Sequence, residues 1–328
     1  MATKVAVIGC GRRGAGFARA CKGAGDIEYV GFADPVEGAA AKMQEEFGGT
    51  AFTDTAEMLA KTKPEFVCLV TRPNVRVEPI TQCAEAGVKA VLSEKPMSHT
   101  WAAAVAQRAV AEKTGMLTSY CHQRRTFGSA ETTKKLMASG AIGDVQRLEA
   151  YCSNLYDWGT HWFDMCEFLV GDVDAEWVLA QADRKGVRTV FDQPVDRAGV
   201  SVVRYSNGHT AVLMTGDATI KGAGVRVVGS EGELRLQSDA KENAVTMINK
   251  DGVTHPEYEN RRGIECAVQH CLACMREGRP SLLDSQNAIR ATEQIYASYW
   301  SSQRGERVPL PLAREGLELP LSEFFTVA

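Results

Sequence analysis

The chain opens with KVAVIGCGRRG, residues 4–14, in which an apolar, β-branched run leads straight into a glycine-rich turn. An alanine-rich stretch with helical character, residues 15–21, comes next. Strand, G-x-G-x-x-G and helix in this order form the context that a dinucleotide-binding fingerprint requires. Gly9 permits the tight turn, Gly11 lets backbone N–H groups approach a pyrophosphate, and Gly14 lets the helix pack close to the sheet. These residues predict a phosphate-binding helix N-terminus, with an ordinary glycine turn as the alternative.

An acidic residue at the end of the next predicted strand supports this prediction. Ile27–Ala33 has strand character, and Asp34 follows it, twenty residues after Gly14. A carboxylate at this position can accept hydrogen bonds from the ribose 2′-OH of NAD. The 2′-phosphate of NADP would instead face a negative charge. We therefore predict NAD as the preferred cofactor. NADP stays possible but less favoured, because Arg12 or Arg13 can still reach a 2′-phosphate.

Length and composition predict a two-domain globular protein. A chain of 328 residues normally divides its core into about two domains. The net charge of −4 and the pI of about 5.9 give no support for binding to nucleic acid or membranes. No apolar run approaches the ~20 residues that span a bilayer. The first strand begins at once and leaves no room for a signal peptide, so we expect a cytoplasmic location.

Ten cysteines are expected to remain reduced in that compartment. Cys266, His270, Cys271 and Cys274 suggest a metal cluster at first sight. However, the stretch contains one lone C-x-x-C pair and has helical periodicity, whereas a zinc site usually has a second pair. We therefore predict no metal.

Strand and helix signals alternate through the first third of the chain, which predicts an α/β domain with a doubly wound parallel sheet. Glu65–Val70 is a continuous apolar strand of the kind that parallel sheets bury. Thr71, Arg72 and Asn74 follow that strand at its carboxyl end, where ligands collect in open α/β sheets. We expect these three residues beside the cofactor, in a dinucleotide-binding Rossmann domain that covers residues 1–122.

The pattern changes after His122. A helix is predicted over Tyr156–Leu169, and strand-like runs dominate Ala175–Ile248. Asn207-Gly208 is a strong signal for a hairpin turn. The second domain, residues 123–328, is therefore predicted as an α+β domain with a large, mainly antiparallel open sheet. Its C-terminal segment is able to pack back on the first domain.

Two further stretches of the sequence contain candidate catalytic residues. SEKP, Ser93–Pro96, ends a predicted strand at the ligand edge, and DWGTHWFD, Asp157–Asp164, opens the helix of the second domain. Together with the glycine fingerprint they resemble the glucose–fructose oxidoreductase/inositol dehydrogenase/MocA family (Gfo/Idh/MocA). Residues 139–145 and 228–234 match as well, and the resemblance extends to about Leu310. It implies NAD(P)-dependent oxidation or reduction of sugars, polyols or related small alcohols.

The resemblance implies that Lys95, Asp157 and His161 are the catalytic residues. Lys95, beside Pro96 at a strand end, can direct its ammonium group at a substrate oxygen. Asp157 and His161 are four residues apart and are expected on one helical face, where His161 can carry a proton near neutral pH. Asp164 is expected to brace His161. The alternatives are a surface lysine in a turn and a structural pair in a packed helix.

The remaining candidates complete the two predicted binding sets. The predicted cofactor-binding residues are Gly9, Gly11, Arg12, Arg13, Gly14, Asp34, Thr71, Arg72, Asn74, Glu94 and Lys95. The predicted substrate-binding residues are Lys95, His122, Arg124, Asp157, Trp158 and His161. His122, Gln123, Arg124 and Arg125 follow the last predicted strand of the first domain, and one of them is expected to reach the substrate or a neighbouring strand. A purely structural role for the two arginines is equally open.

One feature departs from the family pattern. Only Ser153–Tyr156 lies between the preceding strand and Asp157, where many members have a longer, glycine-rich segment that helps to cover the substrate. We therefore expect a less covered substrate, flanked by the aromatic rings of Tyr156, Trp158 and Trp162, with a place in the core as the alternative for Trp162. This arrangement would favour a substrate larger than a free monosaccharide, such as a glycoside.

The sequence thus predicts an NAD-dependent oxidoreductase that transfers a hydride between nicotinamide and a hydroxyl or carbonyl group of a sugar, polyol or glycoside. One alternative is an NAD-dependent glycoside hydrolase that works by transient oxidation, elimination and re-reduction. A second is a non-catalytic dinucleotide-sensing protein. The family also implies a homodimer or homotetramer that associates through the exposed face of the second-domain sheet.

Overall fold

The computed structural model describes residues 2–185, 188–216 and 223–325. The chain forms two compact units, each built from three segments. The first unit comprises Met1–His99, Ala103–Gln123 and Gly263–Ile289. The second unit comprises Thr100–Ala102, Arg124–Arg262 and Arg290–Ala328. The division into domains at residue 122 stays a prediction.

Helices and strands alternate in the first unit, and strands dominate the second. The helices are α1 Arg12–Lys22, α2 Ala39–Phe47, α3 Thr55–Thr62, α4 Val77–Glu85, α5 Trp101–Thr114, α6 Gly128–Ala138, α7 Gly159–Val170, α8 Ile264–Glu277 and α9 Ser285–Arg304. The first strands are β1 Thr3–Ile8, β2 Ile27–Ala33, β3 Ala51–Phe52, β4 Phe66–Leu69, β5 Ala90–Ser93 and β6 Leu117–Tyr120. The later strands are β7 Val145–Cys152, β8 Ala175–Ala182, β9 Arg188–Val190, β10 Gln193–Val195, β11 Gly199–Tyr205, β12 Thr210–Thr215, β13 Gly224–Gly229, β14 Gly232–Leu236, β15 Val245–Asn249, β16 Gly252–Thr254 and β17 Val308–Pro309.

The first unit is a six-stranded parallel sheet in the order β3-β2-β1-β4-β5-β6. The chain winds outward from β1 in both directions, because β1 pairs with β2 on one side and with β4 on the other. In such a doubly wound sheet the carboxyl ends of the strands around the switch point line a ligand-binding crevice. The predicted parallel sheet is confirmed.

The core of the first unit includes a helix from late in the chain. Phe66 and Cys68 of β4 are buried, and Val268, Cys271 and Leu272 of α8 belong to the same apolar cluster. Apolar positions spaced three and four apart on α8 explain this, because they form one stripe along the helix.

The second unit contains a nine-stranded sheet in the order β16-β15-β14-β13-β7-β12-β11-β8-β17. Its described pairs are antiparallel except for β7 with β12. The hairpin between β11 and β12 turns at Asn207-Gly208, where Gly208 has a φ of 90° that side chains rarely adopt. The α+β class with a mainly antiparallel sheet is therefore confirmed.

Two predicted helices begin later than expected. The helix predicted from Tyr156 begins at Gly159, so Asp157 lies in the preceding turn and not on the helix. The sequence also predicts a helix over Val36–Phe47, which in the structure begins at Ala39, because the left-handed φ of 77° at Gly38 is not helical. The prediction that Asp157 and His161 lie on one face of the same helix is therefore wrong, because only His161 belongs to α7.

All ten cysteines are free thiols, and eight of them are buried. Burial raises the pKa of Cys83 in the first unit and of Cys166 in the second unit to about 12. These thiols therefore stay protonated at neutral pH and pack as small apolar side chains. In the part of the chain that the structure describes, no helix has the length and apolar character needed to cross a bilayer.

Candidate active site

The glycine loop that joins β1 to α1 has no space for a side chain at Gly9 or Gly14. Gly9 has a φ of 92°, and a Cβ placed there would lie 2.6 Å from the carbonyl oxygen of Val70. A Cβ on Gly14 would lie 2.0 Å from the carbonyl oxygen of Gly9. A Cβ on Gly11, by contrast, would meet nothing within 4 Å. The loop is thus closed on its inner side and open at Gly11, as a backbone that receives a pyrophosphate requires.

Asp34 is fixed beside this loop. Its Oδ2 accepts the N–H of Cys10 at 2.7 Å, and its Oδ1 accepts the N–H of Val36 at 2.9 Å. A carboxylate has about four acceptor sites, so these two bonds leave capacity for ribose hydroxyls. Burial raises the pKa of the Cys10 thiol to about 12, and the charge of Asp34 adds to the effect. Cys10 is therefore a packed neighbour of the carboxylate and not a nucleophile.

Arg13 is engaged by a residue of the E-K-P stretch. Its Nε donates to Oε1 of Glu94 at 3.0 Å, and its guanidinium lies 5.5 Å from the centre of the Phe17 ring. Burial alone would lower the pKa of Arg13, but the Glu94 carboxylate raises it above its ordinary value. Arg13 is thus committed to Glu94, which leaves Arg12 as the arginine of the loop without such a described partner.

Two buried polar atoms at the carboxyl edge of the first sheet have no hydrogen-bond partner among the described residues. They are Oγ1 of Thr71, just beyond β4, and Oε2 of Glu94, directly after β5. A buried polar atom without a partner costs about 1–3 kcal/mol, so such atoms commonly mark a ligand position. Hydroxyl and amide groups of a nicotinamide riboside are suitable partners. The residues present therefore fit the dinucleotide that the glycine loop predicts.

Arg76 holds the two loops beyond these strands, and the sequence did not single it out. Its Nε and Nη2 donate to the carbonyl oxygen of Thr71 at 3.2 and 2.7 Å, and its Nη1 donates to the carbonyl oxygen of Pro96. Arg76 is fully buried. It thereby fixes the backbone at Pro96, the residue that follows Lys95. The peptide bond between Lys95 and Pro96 is cis. A buried arginine between two loops leaves no periodic signal in the sequence.

Other predicted residues of the first unit differ in exposure. Arg72 and Asn74 are exposed, and Lys95 is half-buried. His122 is buried two residues after the end of β6, and its N–H donates to the carbonyl oxygen of Tyr120. Their roles toward the cofactor or substrate stay predictions.

The second unit holds the D-x-x-x-H stretch at the start of α7. His161 is buried in the first turn of α7, and Asp157 is half-buried in the turn that precedes it. Of the three aromatic residues expected to flank the substrate, Tyr156 and Trp162 are buried. Trp158, 39% exposed, is the one with an accessible ring. The expectation of an accessible ring is therefore wrong for Tyr156, whereas Trp162 is a core residue, the alternative that the sequence leaves open for it.

Arg124 is packed against both tryptophans of this stretch. Its guanidinium carbon lies 5.7 Å from the ring centre of Trp158 and 5.4 Å from that of Trp162. Its Nε donates to Ser238 Oγ at 3.2 Å, and its Nη2 pairs with Asp239. These contacts support the structural role that was left open for Arg124, and a role in substrate binding stays a prediction.

Arg125 joins a buried cluster of acids behind α7. Its Nε donates to both carboxylate oxygens of Asp164 at 2.8 Å, and its Nη1 pairs with Asp172 at 2.5 Å. Burial alone would lower the pKa of Arg125, but Asp164, Asp172 and Glu167 raise it above its ordinary value. Burial also raises the pKa of Glu167. Arg125 is therefore an anchor of α7, and its pairing with Asp164 was not expected from the sequence.

The cysteine-rich stretch in α8 has structural partners. His270 Nε2 accepts the N–H of Leu282 at 2.9 Å, and Cys271 is buried in the first unit's core. Within residues 2–185, 188–216 and 223–325, no group of three or more His, Cys, Asp or Glu side chains is placed to hold a metal ion.

Comparison with family profiles covers both units. Residues 3–122 match the oxidoreductase family with an NAD-binding Rossmann fold, and residues 153–235 match the Gfo/Idh/MocA C-terminal domain. The chain belongs to the Gfo/Idh/MocA family. Membership makes it an oxidoreductase whose first unit is of the NAD-binding type, which confirms the predictions of enzyme class and cofactor.

Relatives in the Gfo/Idh/MocA family include named dehydrogenases. The D-apiose dehydrogenase of Paraburkholderia graminis is 24% identical over 345 aligned residues, covering 94% of this chain and 89% of that protein. The scyllo-inositol 2-dehydrogenase (NADP(+)) of Bacillus subtilis is 26% identical over 162 residues, covering 43% of this chain and 45% of that protein. The hydrolase alternative gains no support from these relatives.

Solved structures share the fold over nearly the whole chain. An oxidoreductase from Agrobacterium radiobacter in complex with NAD+, L-tartaric acid and magnesium superposes with a TM-score of 0.80 at 18% identity, covering 94% of this chain and 98% of that one. The myo-inositol 2-dehydrogenase of Lactobacillus plantarum superposes with a TM-score of 0.77 at 19% identity, covering 95% and 100%. The architecture is thus the one that Gfo/Idh/MocA oxidoreductases share.

Proposed function

We propose that this oxidoreductase is a sugar or polyol dehydrogenase that transfers a hydride between NAD and a hydroxyl or carbonyl carbon of a sugar, polyol or glycoside. The observation that carries the proposal is the pair of unpartnered atoms, Thr71 Oγ1 and Glu94 Oε2, at the carboxyl edge of the first sheet. They suit the nicotinamide end of a dinucleotide, and Lys95 is the next residue in the chain. The substrate class comes from the names of the relatives, a D-apiose and a scyllo-inositol dehydrogenase.

The proposed chemistry assigns proton transfer to the chain's own side chains. NAD, when bound, supplies the hydride acceptor. Lys95 Nζ donates a hydrogen bond to the reacting oxygen of the substrate. During oxidation an imidazole nitrogen of His161 takes the proton of the substrate hydroxyl group. Asp157 orients the substrate hydroxyl or the imidazole. In the reduction of a carbonyl compound the same groups return the proton.

The preference for NAD over NADP rests on Asp34. Its carboxylate is fixed by two backbone N–H groups and has acceptor capacity for ribose hydroxyls. Arg13, which the sequence left as a possible phosphate partner, is held by Glu94. The geometry of Asp34 supports NAD as the working cofactor, and Arg12 remains the arginine that can reach a 2′-phosphate.

The single exposed ring of Trp158 supports an accessible substrate. Trp158 is 39% exposed, and although the Arg124 guanidinium lies against its ring, part of this large apolar side chain is open to a substrate. The short Ser153–Tyr156 connection adds no cover of its own. A glycoside or a sugar with a bulky substituent therefore remains the proposed substrate size. A homodimer or homotetramer and a cytoplasmic location also remain proposals.

A substrate screen tests the function. D-apiose, scyllo-inositol, myo-inositol and p-nitrophenyl glycosides are each incubated with NAD and with NADP, and both reduced cofactor and released nitrophenol are followed. We expect NADH to accumulate in proportion to substrate consumed. Release of nitrophenol without net NADH would contradict the dehydrogenase and support the hydrolase. Faster turnover of free sugars than of their glycosides would contradict the accessible-substrate proposal alone.

A further inference from the structure

The connection between β7 and α7 is held from within by the side chain of Asn154. Its Oδ1 accepts the N–H of Asp157 at 2.7 Å and the N–H of Trp158 at 3.4 Å. Its backbone oxygen accepts the N–H of Gly159 at 2.8 Å. Asn154 is fully buried. One residue therefore fixes three successive backbone N–H groups, beginning with that of Asp157.

A second buried side chain, Asp196, fixes the same connection from the other side. Its Oδ1 accepts the N–H of Leu155 at 2.8 Å and the hydroxyl of Tyr299 at 2.6 Å. Its Oδ2 accepts the hydroxyl of Thr215 at 2.5 Å. Burying a carboxyl group is costly unless several donors satisfy it, and here the donors come from the connection, β12 and α9. Asp196 thus attaches Leu155 to two independent elements of the second unit.

These contacts differ from an ordinary helix cap. A capping side chain accepts the N–H of the second or third helical residue. Asn154 instead bonds Asp157 and Trp158, which both precede Gly159, the first residue of α7. The cap position itself is Trp158, which makes no side-chain cap bond. Asn154 therefore orders the turn that carries Asp157 more directly than it stabilises the helix.

We propose that Asn154 and Asp196 are positioning residues that hold Asp157 in its working geometry. The inference rests on the proposed function, in which the Asp157 carboxylate acts on the substrate or on His161. Once its backbone N–H is fixed, the carboxylate can reach only the points that its few side-chain rotamers allow. A displacement of about 1 Å in a catalytic group can cost roughly 100-fold in rate. The short connection therefore supplies order at Asp157 and not cover over the substrate.

The test compares two asparagines at opposite ends of α7. Asn154→Ala removes the acceptor for Asp157, whereas Asn207→Ala removes a donor to the carbonyl oxygen of Val170 at the far end of the helix. For each full-length variant, kcat and KM are measured with NAD and the fastest sugar of the screen, D-apiose being tried first. Amide hydrogen exchange of the 153–163 peptide and NAD affinity are measured alongside.

We expect Asn154→Ala to lower kcat by about 10–100-fold with KM changed by less than about threefold. Exchange in the 153–163 peptide should be faster, and NAD affinity unchanged, because the predicted NAD residues lie in the first unit. Asn154→Asp keeps an acceptor oxygen and should recover most of the kcat. Asn207→Ala should lower the melting temperature and leave kcat unchanged.

The outcomes separate this inference from the proposed function. If Asp157→Ala is slow but folded Asn154→Ala has the kcat of the wild type, the positioning role is overturned and the proposed function stands. If Asp157→Ala itself keeps full kcat, the proposed role of Asp157 fails and the inference fails with it. Asn154→Leu, which has a similar size and no acceptor, replaces Asn154→Ala if the latter does not fold, and a wild-type kcat there has the same meaning.

Discussion

A single carboxylate, Asp34, is the predicted partner of the ribose 2′-OH that distinguishes NAD from NADP. Replacing Asp34 by Ser and Val36 by Arg removes the negative charge and adds a cation in the same loop. We expect the ratio of Kd for NADP to Kd for NAD to fall by about tenfold or more, equivalent to about 1.4 kcal/mol. Calorimetric titration of both cofactors measures it. Glu37→Ser, which removes a neighbouring exposed charge, is the control. Wild-type protein that binds NADP as tightly as NAD would disprove the assignment.

Lys95 and His161 are the side chains that we propose for proton transfer. Lys95→Ala and His161→Ala should each lower kcat by about 10²–10⁴-fold, the usual contribution of a general acid or base. NAD affinity should stay nearly unchanged in both variants. Lys89→Ala, at an exposed lysine paired with Glu65, is the matched control for Lys95. Full turnover in either catalytic variant on a confirmed substrate would remove that residue from the mechanism.

Residues fixed by local order could be predicted, and residues fixed by distant partners could not. Gly9 and Asp34 follow predicted strands at the positions that the fingerprint requires, so the sequence identifies them. The partner of Arg13 is Glu94, 81 residues further on, and nothing in the sequence near Arg13 indicates it. The same holds for Asn154 and Asp196, whose roles depend on how separate elements come together.

At the level of elements, α7 shows why helix boundaries are difficult to predict. Apolar periodicity continues from Tyr156 into α7, so the pattern predicts an earlier start. In the folded protein the N–H groups of Asp157 and Trp158 bond to the side-chain oxygen of Asn154. Side-chain acceptors compete with helical hydrogen bonds in this way. The periodic pattern records burial and contains no information on which acceptor an N–H group uses.

The link between α9 and the C-terminal segment should respond to pH. Burial raises the pKa of Glu293 from 4.5 to about 7, and its Oε1 accepts the N–H of Leu312 at 2.7 Å. The folded protein therefore holds a proton that the unfolded chain releases. The resulting stability is complete below pH 4.5 and is lost as the pH rises through about 7.

Glu293→Gln tests this dependence, because the amide keeps an acceptor and does not titrate. We expect the fall in melting temperature of the wild type between mildly acidic and mildly alkaline pH to become smaller in the variant. The difference should correspond to roughly 1–3 kcal/mol, since one pKa unit is worth about 1.4 kcal/mol. Glu315→Gln, at an exposed site, is the control. Identical pH profiles for wild type and Glu293→Gln would contradict the prediction.

For the whole molecule, the open face of the nine-stranded sheet is the proposed surface of association. Leu179, Val200 and Met214 are exposed there, and Val200 lies opposite Met214 in the register of β11 and β12. Exposed apolar residues grouped on one face commonly mark a protein interface. We expect wild-type protein to be a dimer or tetramer by light scattering, and Val200→Glu to shift it toward monomer with NAD binding intact. A monomeric wild type would rule out this surface as an interface.

The buried thiols give each unit an internal reporter. A thiolate, not a thiol, attacks a disulfide reagent, so protonated and buried cysteines are silent while the protein is closed. Labelling by such a reagent then counts openings and not surface reactivity. Cys83 reports from the first unit and Cys166 from the second. Mass spectrometry of the two cysteine-containing peptides would measure how fast each thiol is labelled. Different labelling rates would show that the first unit opens independently of the unit that carries α7.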